Sequence, residues 1–121
     1  MSELKSRYLF IASMDIDADR EALFNDVYNT EHCPMLNETP GVIGVTRYET
    51  QRLVMAMGGE VREIEIPGTP KHHAVYQIES PDVLTSPEWA DAVDSGRWPE
   101  QVRPHTKNRR HVLMKLTYPE S

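Results

Sequence analysis

The sequence predicts an α+β fold in which two β-α-β halves build one sheet with its helices on a single face. Three observations predict it. Four short runs rich in aromatic and β-branched residues, Tyr8 to Met14, Val42 to Glu49, His72 to Glu79 and His111 to Thr117, read as strands. Two stretches, one after the first run and one after the third, carry helix-period apolar spacing behind capping residues. Two further arms, Arg52 to Met57 and Val61 to Ile66, flank Gly58-Gly59 and read as a β-hairpin. A chain of 121 residues suits one hydrophobic core, so residues 1–121 are read as one domain.

The first strand, "YLFIASM", is apolar on both alternating faces: Tyr8, Phe10, Ala12 and Met14 on one, Leu9, Ile11 and Ser13 on the other. A strand with one wet face alternates more sharply, so this sheet is expected to bury both sides. Asp17 suits an N-cap, where a carboxylate accepts a free backbone N–H, and Asp19 and Glu21 favour the positive end of the dipole. Leu23, Phe24, Val27 and Tyr28 then form an apolar helical stripe. Pro34 has no backbone N–H and disfavours the α region at Cys33, so the helix is predicted to end or kink near His32.

Pro40-Gly41 is a turn signal before the second strand. After the hairpin, "PGTP" punctuates the chain ahead of the third main strand. Ser80 or Asp82 can cap a second helical region. Its clearest turn is "SPEWADAV", with Pro87 at a first-turn position and an apolar face of Trp89, Ala90 and Val93. "SGRWPEQVRPHTKN" reads as loop.

The resulting order, β-α-β-(hairpin)-β-α-β, is the split βαβ or ferredoxin-like plan, βαββαβ with an extra β-hairpin. Helices cover one face of such a sheet. If the other is apolar, a second copy of the chain is the simplest cover, so a homodimer closing into an α/β barrel is expected.

Composition narrows the partners. Apolar residues are 39% of the chain and charged residues 26%, a globular balance. The formal charge of −6 disfavours a phosphate backbone, so no nucleic-acid partner is expected. The Lys107-Asn108-Arg109-Arg110 patch reads as a solvated turn. One cysteine makes no internal disulfide, which fits a reducing, cytoplasmic setting. "MSELKSRYLFIASMDI" lacks the apolar run of a secretory leader or a membrane span, so no membrane partner is expected.

The chemistry centres on "YNTEHCPML". Phe24, Tyr28 and His32 are four residues apart and share one helical face, two rings followed by an imidazole. A neutral imidazole accepts a proton near pH 7, as a general base must, and Tyr28 can orient a carbonyl or donate a proton. The structural alternative is a half-buried histidine meeting the last carbonyls of the helix. Glu31 lies about 100° around the helix from His32 and is expected to cap or to pair with an arginine. Cys33 stands at the negative helix end, which disfavours a thiolate. His72 and His73 are adjacent on a strand and point to opposite faces, so at most one enters a pocket; His73 is the candidate. Phe24, Tyr48, Tyr76 and Trp98 complete the candidate pocket wall, with Arg47 beside them. Tyr48 and Tyr76 are equally readable as packed tyrosines with wet tips, and Trp98 as a core or interface residue. His105 is loop-borne. No HxH, HxxxH or CxxC spacing occurs, so no metal is expected, and no phosphate-binding glycine loop follows a strand.

"FNDVYNTEHCPML" followed by "TPGVIGVTRYE" resembles the dimeric α/β-barrel superfamily, and within it the EthD-like proteins. Those show an aromatic-rich helix ending in Glu-His-x-Pro, then Pro-Gly and an Arg-Tyr-containing strand. The match covers most of residues 7–49, and "SPEWADAV" looks like the second helix. The resemblance implies that His32 lines a pocket. It does not choose a reaction, because relatives include cofactor-independent monooxygenases, muconolactone isomerases, polyketide cyclases and haem-degrading enzymes. The Asn, Trp and His set of the haem degraders has no match at these positions, so no cofactor is expected. The residues and the resemblance together point to a cofactor-independent isomerase, cyclase or monooxygenase acting on a small apolar carbonyl or phenolic compound. His32 would move a proton, and Tyr28 and Tyr48 would stabilise an oxyanion. The competing class is a non-enzymatic ligand-binding or accessory protein of the same fold.

Overall fold

Four antiparallel strands form the main sheet in the order β2-β5-β1-β6. They are β1 (Tyr8–Ile16), β2 (Val42–Glu49), β5 (His72–Ile78) and β6 (Thr106–Lys115). The computed structural model describes residues 7–119; the first six residues of the stretch read for a leader lie outside them. β1 and β2 both run antiparallel to β5, which lies between them, while β1 in turn separates β5 from β6. Each helical connection therefore skips over one strand. This is the split βαβ topology of the ferredoxin-like plan.

Residues directly opposed in a ladder share a face. Tyr76 stands opposite Phe10 and Val45, and Ala74 opposite Ala12 and Arg47, so these side chains turn toward the helices. Helices α1 (Glu21–Val27), α2 (Cys33–Asn37) and α3 (Pro87–Val93) all supply residues to the buried apolar cluster on that side. Phe24, Val27, Leu36 and Ile78 are fully buried in it. Ser86 caps α3 by accepting the Trp89 N–H, and Ser80 accepts that of Asp82 at the start of the 3-10 turn Pro81–Thr85. Pro87 takes the predicted first-turn place. Among the described residues no helix is long and apolar enough to cross a membrane.

β3 (Leu53–Met57) and β4 (Glu60–Ile64) pair as a separate two-stranded sheet. Gly58 and Gly59 both have positive φ, 63° and 82°, the geometry of a tight type I′ turn. The arms are almost wholly exposed.

Four local expectations are corrected. Pro34 does not end the first helix. A π-helical turn, Tyr28–His32, closes with Cys33 N–H donating to the Tyr28 carbonyl, and α2 continues from there. The wider turn breaks the ladder where Pro34 has no N–H to give, so proline occupies a first-turn position at no hydrogen-bond cost. Asp17 stands at a cap position without a side-chain capping bond. Its carboxylate faces Lys107 Nζ at 3.3 Å and His105 Nδ1 at 3.6 Å instead. The segment read as loop holds a second π turn, Trp98–Val102, and a 3-10 turn, Arg103–His105, anchored by buried Trp98 and Val102. Lys107 to Arg110 belong to β6 rather than to a turn. Asn108 has a φ of 53° there, beside a bulge in the β1–β6 ladder, and bulges let charged side chains join a strand edge.

Candidate functional site

A cavity of about 200 Å³ lies between the helical layer and the sheet. Phe10, Ala12 and Met14 of β1 and Tyr76 of β5 form its floor. Tyr28, His32 and Leu36 close it from the first helical layer, and Trp89 and Val93 from α3. Trp98, Arg103, Arg109 and His111 complete the lining. The cavity exists because these walls are bulky rings meeting at angles, which leave a gap where small aliphatic side chains would close up.

His32 is 4% exposed. Its ring stacks on Trp98, centroids 4.3 Å apart and 18° from parallel, and meets Tyr28 edge-on at 5.2 Å. Its Nδ1 is sealed from solvent and has no hydrogen-bond partner. Burial first, and the nearby Arg103 guanidinium second, push its pKa down to about 4, so the imidazole is neutral at pH 7. The predicted stripe therefore holds: Phe24, Tyr28 and His32 line up with ring contacts of 5.1 and 5.2 Å.

Tyr28 and Tyr76 lie close enough that each shifts the other's ionisation. Burial pushes Tyr28 up to about 12 and Tyr76 well above its ordinary value. Both are neutral phenols at pH 7, able to offer a hydrogen bond but not to ionise. Arg47 lies over the Tyr28 ring at 4.6 Å and donates to Asn29 Oδ1 and Asn25 Oδ1 at 2.9 and 3.0 Å. It fixes the first helix on β2 from behind the cavity.

Glu31 pairs with arginine, as expected. Its carboxylate accepts from the backbone N–H and the side chain of Arg97, and Arg97 also reaches Asp26 at 2.9 Å. This clamp seats Trp98, the next residue, on His32. Gly96 permits it: its φ is +70°, and a Cβ there would stand 2.5 Å from Glu31 Oε1. Burial pushes the Cys33 thiol up to about 11, the wrong direction for a nucleophile.

Of the other candidates, Tyr76 and Trp98 line the cavity and Phe24 backs it, packed on Tyr28 and at 6.0 Å from Trp98. Tyr48 and His73 do not reach it. They stand opposite one another on the other face of the sheet, where Tyr48 is 59% exposed. Both His73 nitrogens are engaged, Nδ1 with Ser13 Oγ and Nε2 with Thr50 Oγ1, each at 2.6 Å. His72 is the one that faces the helices, with Nε2 at 2.7 Å from Glu21. His105 pairs with Asp17, away from the cavity. Among the described residues no group of three or more His, Cys, Asp or Glu side chains is placed to hold a metal ion. Sequence reasoning missed Arg103, Arg109 and His111 as lining residues. Period-two alternation puts Arg109, His111 and Leu113 on one face of β6, the signal that would have found two of them.

No protein-family profile and no curated protein matches the sequence. Solved structures do match in fold. The haem-degrading enzyme MhuD from Mycobacterium tuberculosis, with two haems in its active site, aligns with a TM-score of 0.56 at 10% identity, over 94% of this chain and 99% of its own. A mutant of MhuD holding two manganese protoporphyrin IX groups aligns with a TM-score of 0.58 at 10% identity, over 94% and 98%. A candidate antibiotic biosynthesis monooxygenase from Nitrosomonas europaea aligns with a TM-score of only 0.48 at 11% identity, over 99% and 100%. At these identities the likeness establishes the ferredoxin-like α+β fold and leaves the chemistry to the residues.

Proposed function

We propose that this chain is a small-molecule enzyme of the isomerase, cyclase or monooxygenase kind, working without a cofactor on a small carbonyl or phenolic compound. The observation that carries the reading is His32: a buried, neutral imidazole whose ring lines the cavity, with its sealed Nδ1 left unpartnered behind. A buried polar atom left unsatisfied costs stability, and functional sites are where such costs persist. With no anion beside it the imidazolium is disfavoured. A substrate that becomes anionic next to the ring reverses this, because an opposite charge nearby favours the charged form. Proton transfer to His32 is thus coupled to charge forming on the substrate. The Tyr28–Tyr76 pair offers a neutral donor to that charge. Tyr48 takes no part, since it lies on the other face.

Haem does not fit the site. A cavity of about 150 Å³ holds one benzene, so about 200 Å³ has no room for a tetrapyrrole. The His32 ring is also laid flat against Trp98.

The test is a screen of small phenols and carbonyl compounds with the wild type and His32→Ala. Loss of turnover by about 100-fold or more is expected for a general base; equal turnover removes His32 from the mechanism. The depressed His32 pKa favours one other reading, a ligand-binding or accessory protein in which the imidazole only donates or accepts a hydrogen bond. It predicts saturable binding without turnover.

The reading also carries a homodimer of 1–121 as a single α/β-barrel domain. It is supported by the uncovered sheet face, where Val112 and Met114 are 43% and 49% exposed beside half-buried Leu9, Ile11 and Val75. A monomeric mass in solution at micromolar concentration would count against it. The EthD-like assignment rests on the Glu-His-x-Pro segment, and the cytoplasmic one on the single free cysteine.

A further inference from the structure

We propose that the cavity takes a monocyclic aromatic acid, its ring in the slot beside His32 and its carboxylate on Arg103 and Arg109. The inference deepens the enzyme reading and rests on the same cavity. Volume points to a small ring, since about 200 Å³ comfortably holds one substituted benzene. The walls favour a flat π-system. Phe10 and Tyr76 stack at 5.6 Å, Trp89 meets Tyr76 edge-on at 5.3 Å, and Trp98 closes the other side on His32.

Charge sets the substituent. The chain carries a net −6, yet among the described residues no Asp or Glu lines this cavity, while two arginines do. Both guanidiniums are held in place at one end and open at the other. Arg103 Nη2 donates to the Val93 carbonyl at 2.7 Å and to Asp94 Oδ1 at 2.8 Å. Arg109 donates through Nε and Nη2 to Thr106 Oγ1 at 3.1 and 2.7 Å, and through Nη2 to the Arg103 carbonyl at 3.2 Å. Nε and Nη1 of Arg103 and Nη1 of Arg109 have no partner among the described residues. Asp94 is the single carboxylate on either side chain, so the pair keeps a positive charge. Fixed, planar guanidinium donors suit a carboxylate better than a neutral carbonyl, because charge-assisted bonds are roughly twice as strong.

Both tryptophans of the chain line the cavity, so intrinsic fluorescence reports its occupancy. The experiment titrates 4-hydroxybenzoate against 4-hydroxybenzamide at pH 7, by calorimetry and by tryptophan fluorescence. The acid is expected to bind saturably and about tenfold more tightly than the amide. Arg103→Gln and Arg109→Gln should each remove about that preference, and added salt should erode it. Arg103 also ties down α3, so Arg109→Gln is the deciding variant if Arg103→Gln fails to fold. Equal affinity for acid and amide, no saturable binding of the acid, or an unchanged preference in Arg109→Gln overturns the proposal. The two readings separate at His32→Ala, which should lose turnover yet keep the preference for the acid. Acid binding by a wild type that turns nothing over supports this inference and defeats the enzymatic one. Turnover of neutral phenols without preference for the acid does the reverse.

Discussion

The two faces of the main sheet are made by the same strands and have opposite fates. On β5, His72, Ala74, Tyr76 and Ile78 face the helices and are nearly inaccessible, whereas His73, Val75 and Gln77 alternate with them on the other side and are half-buried. The adjacent histidines show the difference most directly. His72 is locked between Glu21 and Arg47, while His73 bridges Ser13 and Thr50 on the open side. What separates the faces is which one the chain's own helices reach, not the hydrophobicity of the strand residues. The cavity forms on the covered face because only there do rings from separate elements meet without filling the space between them.

The largest break should come from Phe24→Ala on the covered face. Phe24 is fully buried against Tyr28, His72 and Trp98, and its removal should cost about 3–5 kcal/mol in equilibrium denaturation. A pH titration of stability probes His32 next. Its pKa falls from 6.5 to about 4 on folding, so the unfolded chain binds the proton more readily. Stability from this group is whole above pH 6.5 and drains away as pH falls toward about 4, by about 3 kcal/mol. His111, also lowered by burial, adds in the same direction. His32→Phe should remove the larger part of that loss; an unchanged acid limb would mean His32 is not held neutral.

Two glycines sharpen the comparison further. Gly96→Ala and Gly59→Ala both put a side chain at positive φ, but only at Gly96 would the new Cβ meet another group, the Glu31 carboxylate. Gly96→Ala should cost about 1–3 kcal/mol and change the near-UV signal of Trp98, while Gly59→Ala should pay the backbone strain alone. The smallest effect is expected in the hairpin. Val61 is 74% exposed, and Val61→Ala should shift unfolding by less than about 0.5 kcal/mol. A larger loss that depends on protein concentration would show the hairpin to be part of a subunit contact.

Much of the architecture was legible because it rests on short-range signals. Alternating strands, the Gly58-Gly59 turn, Pro87 in the first turn of α3 and the Phe24–Tyr28–His32 stripe each follow from local geometry. The misses share a cause. Pro34 read as an end or a kink because a proline is normally judged against an α-helical ladder, and the π turn changes that ladder. Residues 95–108 read as loop because Gly96 and Pro99 hide the pull of Trp98 and Val102 toward the core. Arg109 read as surface charge because its neighbours, Asn108 and Arg110, are polar, and Arg103 fell within the stretch read as loop.

The sequence by itself determined the order of the elements, which side chains share a helix face or strand face, and that His32 would follow two aromatic rings on one stripe. These depend only on the 3.6- and 2-residue periods of the backbone. Tertiary structure decided which face of the sheet the helices cover, and hence that Tyr76 enters the cavity while Tyr48 and His73 stay outside. It also decided that His32 is neutral and that two arginines from a distant segment line the same cavity. Periodicity assigns a side chain to a face. Burial, charge and partnership depend on which other face packs there, and that is a long-range property.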